Sequence, residues 1–197
     1  MNRAVGTLMV TAALVMAASA CGGSSSTSSN SSAKSGSRPV GEWVDTLCSK
    51  VTTWKTAVTD STTRLTSGID AAATSTDSAK AAVASTLDGS VQATDTLIAA
   101  LNGNGAPDIA NGEQIQQKVV SAFQQGRQIF ADARARADAL PADAAGFAQQ
   151  ATQLASSIET GFNSFGTALS QAEKLDSDHK IDQAASKDTA CKQLSGA

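Results

Sequence analysis

The chain has 197 residues, of which 41% are hydrophobic, 17% charged and 4% aromatic, with no tyrosine, three cysteines and one histidine. A net charge of −3 excludes the dense basic surface that nucleic-acid phosphates require, and the apolar content excludes a wholly disordered chain. The length accommodates one domain, or at most two small ones.

Asn2-Arg3 precedes a largely apolar run from Val5 to Ala18, which ends in Ala18-Ser19-Ala20-Cys21. A short apolar run behind a positive charge, stopped by small residues and a Gly/Ser tract, has the layout of a signal peptide over residues 1–20. A membrane-spanning helix needs about 20 apolar residues. The small-small-Cys junction resembles the lipobox of bacterial lipoproteins, and that resemblance implies that Cys21 becomes the first mature residue and carries acyl chains. Cysteine arithmetic agrees, because three cysteines in an exported chain leave one odd thiol and lipidation of Cys21 removes it. Residues 21–39 then form a lipidated cysteine followed by a Ser-rich tether without a large apolar side chain, too polar to offset the entropy of its own ordering. As a Gly/Ser coil this tract spans roughly 23 Å on average and about 60 Å when stretched.

From Val40 onward, apolar residues recur at steps of three and four. The first stripe runs Val40, Trp43, Val44, Leu47, Cys48, Val51, Trp54, Val58 and Leu65, with both tryptophans on one side of the helix. A second contains Val83, Leu87, Val91, Leu97 and Leu101, with capping candidates from Ser75 to Ser78 and a stop at Asn102-Gly103-Asn104-Gly105 before Pro107. A third runs from Ile115 through Val119, Phe123 and Phe130 to Leu140, with Asn111 and Gln114 placed like a capping box and Pro141 at its end. The fourth holds Phe147, Leu154, Ile158, Phe162, Phe165 and Leu169, and a weaker segment from about Ser177 to Leu194 closes the chain. No run alternates with period two, so no strand is expected.

These segments predict an all-α fold: an antiparallel up-down bundle of four long helices plus a short C-terminal helix, occupying residues 40–197. Cys48 on the first stripe and Cys191 near the end of the chain are expected to form one disulfide, which on the chain-entropy account is worth on the order of 5 kcal/mol. The seven aromatic residues all fall on apolar stripes and are expected in a packed core.

The lipobox, the Trp43-to-Cys48 opening helix, the Gly105-Ala106-Pro107-Asp108-Ile109 and Asn111-Gly112 turn, and the late Ala190-Cys191 together resemble small exported lipoproteins of actinobacteria. The resemblance implies a membrane-anchored helical bundle and supplies no catalytic residue to carry over.

Candidate chemistry is sparse. Asp178, His179 and Asp182 form the one grouping of metal-ligand types around the lone histidine, but their spacing is not diagnostic and also suits a solvated helix start, with Asp178 and Asp182 sharing a face. Gly161-Phe162-Asn163-Ser164-Phe165-Gly166 lacks the spacing and the preceding strand of a nucleophile elbow, so its glycines are expected to permit close helix contact. Asp132, Arg134, Arg136 and Asp138 are expected to pair as Asp132–Arg136 and Arg134–Asp138 on a solvated face. No cofactor, enzyme activity or nucleic-acid partner is expected. Two functions remain: a non-catalytic binding module on the extracytoplasmic face of the cell membrane, anchored through Cys21 with an envelope protein or lipid as partner, and a carrier of an apolar ligand between the helices.

Overall fold

The computed structural model describes residues 36–71 and 75–195. The expected signal segment, Cys21 and the tether as far as residue 35 lie outside the described residues. Among those described, the elements are β1 (Ser37–Arg38), α1 (Val40–Ala71), α2 (Thr76–Asn104), β2 (Ala106–Pro107), α3 (Gly112–Asp138), α4 (Ala144–Glu173), α5 (Lys180–Ala185) and α6 (Thr189–Ser195). The fold is mostly helical, and local chemistry sets its boundaries. Ser75 caps α2 by accepting from the Ser78 N–H, and Asp143, just after Pro141, caps α4 by accepting from the Gly146 N–H at 2.8 Å. At the far end of α2 the chain leaves through Gly105 at φ 72°. A β-carbon there would lie 2.8 Å from the Gly36 carbonyl oxygen, so the left-handed turn and the close strand both require glycine.

Three expectations are corrected. First, β1 and β2 pair in parallel, Ser37 opposite Ala106 and Arg38 opposite Pro107, and the Asp108 N–H donates to the Arg38 carbonyl at 2.7 Å. Arg38 and Ala106 each precede a proline and are biased to extended backbone, while two-residue strands are too short to show alternation. The end of the expected tether is therefore joined to the folded body from Gly36. Second, Asn111 does not cap α3 with its side chain. It sits at φ 59°, and its Nδ2 donates to the Leu175 carbonyl at 3.2 Å. Third, the C-terminal segment is two helices, because Asp188 starts α6 by accepting from the Cys191 N–H at 2.9 Å.

Successive long helices pack on one another, α1 on α2, α2 on α3 and α3 on α4, while α5 and α6 lie on α1. Cys48 of α1 and Cys191 of α6 form the expected disulfide, with Cα atoms 5.0 Å apart across 143 residues of sequence. Small residues set the spacing of the helices. Ala122 is fully buried, and a β-carbon at Gly161 would lie 2.8 Å from Ile129. Gly166 has no neighbour within 4 Å of that position, so close contact is the role of Gly161 alone.

Large side chains fill the space left between the helices. Phe130, Phe162, Phe165, Phe123 and Trp54 form a row of ring contacts with successive centroid separations of 5.4, 5.9, 5.2 and 5.6 Å, every pair edge-to-face. Phe165 is buried at the centre of this row, whereas Phe162 is half-buried. Phe165→Ala is expected to cost about 3–5 kcal/mol in urea denaturation and Phe162→Ala clearly less; the reverse order would contradict this packing.

Candidate functional site

Two places concentrate the features singled out in the sequence. The first is the connection from α4 to α5. His179 sits at φ 54° just ahead of α5, with Nδ1 3.1 Å from Asp182 Oδ2. Asp178 precedes the helix, so it shares no helix face with Asp182, and its carboxylate lies 3.5 Å from Lys180 Nζ. His179 and Asp182 are thus brought together while Asp178 is not, and all three are exposed. The buried carboxylate of this segment is Asp176. Its Oδ1 accepts from the Lys180 N–H at 3.1 Å and its Oδ2 from the Ile181 N–H at 2.7 Å, which caps α5. The sequence signal for that role is an acidic residue shortly before the helix, which Asp176, four positions ahead of Lys180, shares with Asp178, two positions ahead.

Among the described residues, the metal-ligand types that do converge are Cys48, Asp188 and Cys191, whose ligand atoms lie within 4.8 Å of one another with the two sulfurs bonded. Nearby, an open groove of about 490 Å³ lies between the start of α1 and α5 with the turn that follows it, lined among others by Val40, Gly41, Lys180 and Lys187.

The second place is the seam between α1 and α4. Their backbones scarcely approach, and they meet through side chains, with Trp54 and Phe165 ring centroids 6.5 Å apart. Val51, Trp54 and Val58 on α1 and Phe147, Ile158 and Phe162 on α4 are only half-buried. The Trp54 indole donates to Thr94 Oγ1 at 2.9 Å, and that hydroxyl donates to the Ser90 carbonyl at 2.7 Å. One end of Trp54 is thereby fixed to α2 while its ring borders the seam. The chemistry available here is apolar contact, which suits a hydrocarbon or an aromatic side chain.

Charged side chains elsewhere bind helix to helix. Arg127 makes two bonds to Asp95, with Nε–Oδ1 at 2.5 Å, and Arg134 bridges Asp88 on α2 and Asp138 on its own helix. The expected Asp132–Arg136 pair is replaced by other partners. Asp132 accepts from Gln128 one turn back on its own helix, and Arg136 reaches across to Ser157 Oγ on α4 at 3.1 Å.

No protein-family model, curated protein or solved structure significantly matches this chain.

One titration bears on the α4–α5 connection. Partial desolvation, with the nearby Asp182 charge, holds the Glu173 carboxyl above the ordinary glutamate range. A carboxyl raised in the fold stabilises the protonated form, so its contribution is fully present below the unfolded value and is lost as the pH rises through the folded one. Glu173→Gln is expected to raise the melting temperature slightly at pH 7, with the gain disappearing in acid below the ordinary glutamate value. A gain that persists there would contradict the assignment.

Proposed function

We propose that this chain is an extracytoplasmic lipoprotein, held to the cell membrane by acyl chains on Cys21, whose helical domain is a non-catalytic binding module of the cell envelope. The observation that carries the reading is the Cys48–Cys191 disulfide. A disulfide persists in an oxidising compartment, and this pairing leaves Cys21, at the small-residue junction behind an apolar run, as the odd cysteine. More than one acyl chain on that residue makes a stable anchor. In the same reading the four long helices form an antiparallel up-down bundle. Its supports are the packing of each helix on the next and the short turns between α2 and α3 and between α3 and α4. A binding role is favoured over catalysis because the polar side chains brought together have structural duties, Asp176 at a helix start and the two indoles between helices.

The half-buried aromatic residues along the α1–α4 seam favour a second reading, a carrier of an apolar ligand. The two differ in their response to lipid.

Protein isolated from native membranes should have the intact mass of a chain beginning at Cys21 plus acyl groups, and Cys21→Ser should release it into the medium; a wild-type mass without acyl groups rejects the anchor. Lipid extracted from the same membranes should leave the melting temperature of the soluble domain unchanged. A rise with lipid concentration, together with a shift in Trp54 emission, establishes the carrier instead.

A further inference from the structure

We propose that Cys48, Asp188 and Cys191 form a redox-gated site for a thiophilic divalent cation of the zinc class, which the chain binds when its disulfide is open. The proposal is independent of the membrane-anchor reading and fails or holds separately from it. Two sulfurs and a carboxylate oxygen already lie within 4.8 Å of one another. A tetrahedral zinc site, with Zn–S bonds of about 2.3 Å and Zn–O bonds of about 2.0–2.2 Å, places its ligand atoms roughly 3.4–3.8 Å apart, so once their bond is broken the sulfurs must separate while the carboxylate closes in by about 1 Å at most.

The ligands sit on elements that hold their spacing. Cys48 lies on the long helix α1, while Asp188 and Cys191 stand three residues apart at the start of α6. Asp188 Oδ1 accepts from the Cys191 N–H at 2.9 Å, which orients the carboxylate and leaves its other oxygen available to an ion. Two thiolates and one carboxylate make three protein ligands, with the fourth position open to water, and thiolate sulfur selects zinc, cobalt and cadmium over magnesium and calcium.

The steps balance. A dithiol reduces the Cys48–Cys191 bond and is itself oxidised to a disulfide, leaving two protein thiols. The divalent ion then binds both sulfurs as thiolates and two protons pass to solvent. Thiol–disulfide exchange with a disulfide oxidant, which takes up the two electrons and two protons and leaves as a dithiol, re-forms the Cys48–Cys191 bond and expels the ion, so disulfide and metal are alternative fastenings of α6 to α1.

The test uses the full chain carrying Cys21→Ser, so that two thiols remain, reduced by a phosphine without air and titrated with Co²⁺. The reduced chain should bind one ion, release two protons and develop thiolate-to-cobalt charge-transfer absorption with the visible bands of a tetrahedral site; the oxidised chain should do none of these. Asp188→Asn keeps an acceptor for the Cys191 N–H but weakens the ligand. It should match the parent in stability when oxidised and bind Co²⁺ at least about tenfold more weakly when reduced. Absence of the charge-transfer band in the reduced parent overturns the proposal, as does an unchanged affinity in Asp188→Asn.

Discussion

The Trp43 indole donates to two acceptors at once, the Gly105 carbonyl at 3.0 Å and Gln116 Oε1 at 2.9 Å, while the ring is almost completely buried. The Trp43 carbonyl in turn accepts from Asn104 Nδ2 at 3.1 Å, and Gln116 Nε2 donates back to the Leu101 carbonyl. One residue near the start of α1 thereby ties together the end of α2, the turn that follows it and the start of α3. The β1–β2 pairing depends on this arrangement, since Gly105 must present its carbonyl to the indole while the chain swings past Gly36. A large ring satisfied at its single polar atom suits such a junction, because an unpaired buried N–H would cost about 1–3 kcal/mol. The junction is not fully satisfied: Asn104 Oδ1 is buried without a hydrogen-bond partner among the described residues.

Away from that junction the helices are faced with alanine, serine, threonine and glycine, which bring backbones close but bury little area each. Thr94 and Ser90 are buried and their hydroxyls bond to helix carbonyls one turn back, so they occupy core positions without leaving polar groups unpaired. Cohesion therefore falls on few large side chains, and the row from Phe130 to Trp54 fills the space shared by α1, α3 and α4. That row also explains the open seam. The Trp54 and Phe165 rings, tilted at 44° to each other between α1 and α4, hold those two helices farther apart than the alanine and glycine contacts of α3 allow elsewhere, so neighbouring aliphatic residues remain half-exposed.

Helical stripes, the Ser75 cap, the Gly105 stop and the Cys48–Cys191 pair were legible because each rests on local spacing or on cysteine count. What escaped depends on residues distant in sequence. Asn111 looks like a cap until Leu175 offers its carbonyl, and Arg136 looks like an i,i+4 partner until α4 brings Ser157 beside it. The Ser37–Arg38 strand has no signature of its own, since it exists only where the α2–α3 turn presents an edge. Around His179 the exposed helix start is legible in the charged residues, but which acidic side chain caps it is not. Burial selects Asp176 over Asp178, and burial follows from how α5 folds back on α1.

Helices of six and seven residues are too short to persist alone in water, so α5 and α6 depend on their attachments. Asp176 supplies one by capping α5, contact with α1 supplies another, and Cys191 supplies the covalent one. The aromatic row belongs to α1, α3 and α4, and Ile181, Ala184 and Cys191 of the short helices pack against the cluster that holds Phe123 and Phe165. Opening the disulfide therefore acts first on the C-terminal helices and the adjoining groove, and that shared apolar contact with the Asp176 cap is what continues to hold them.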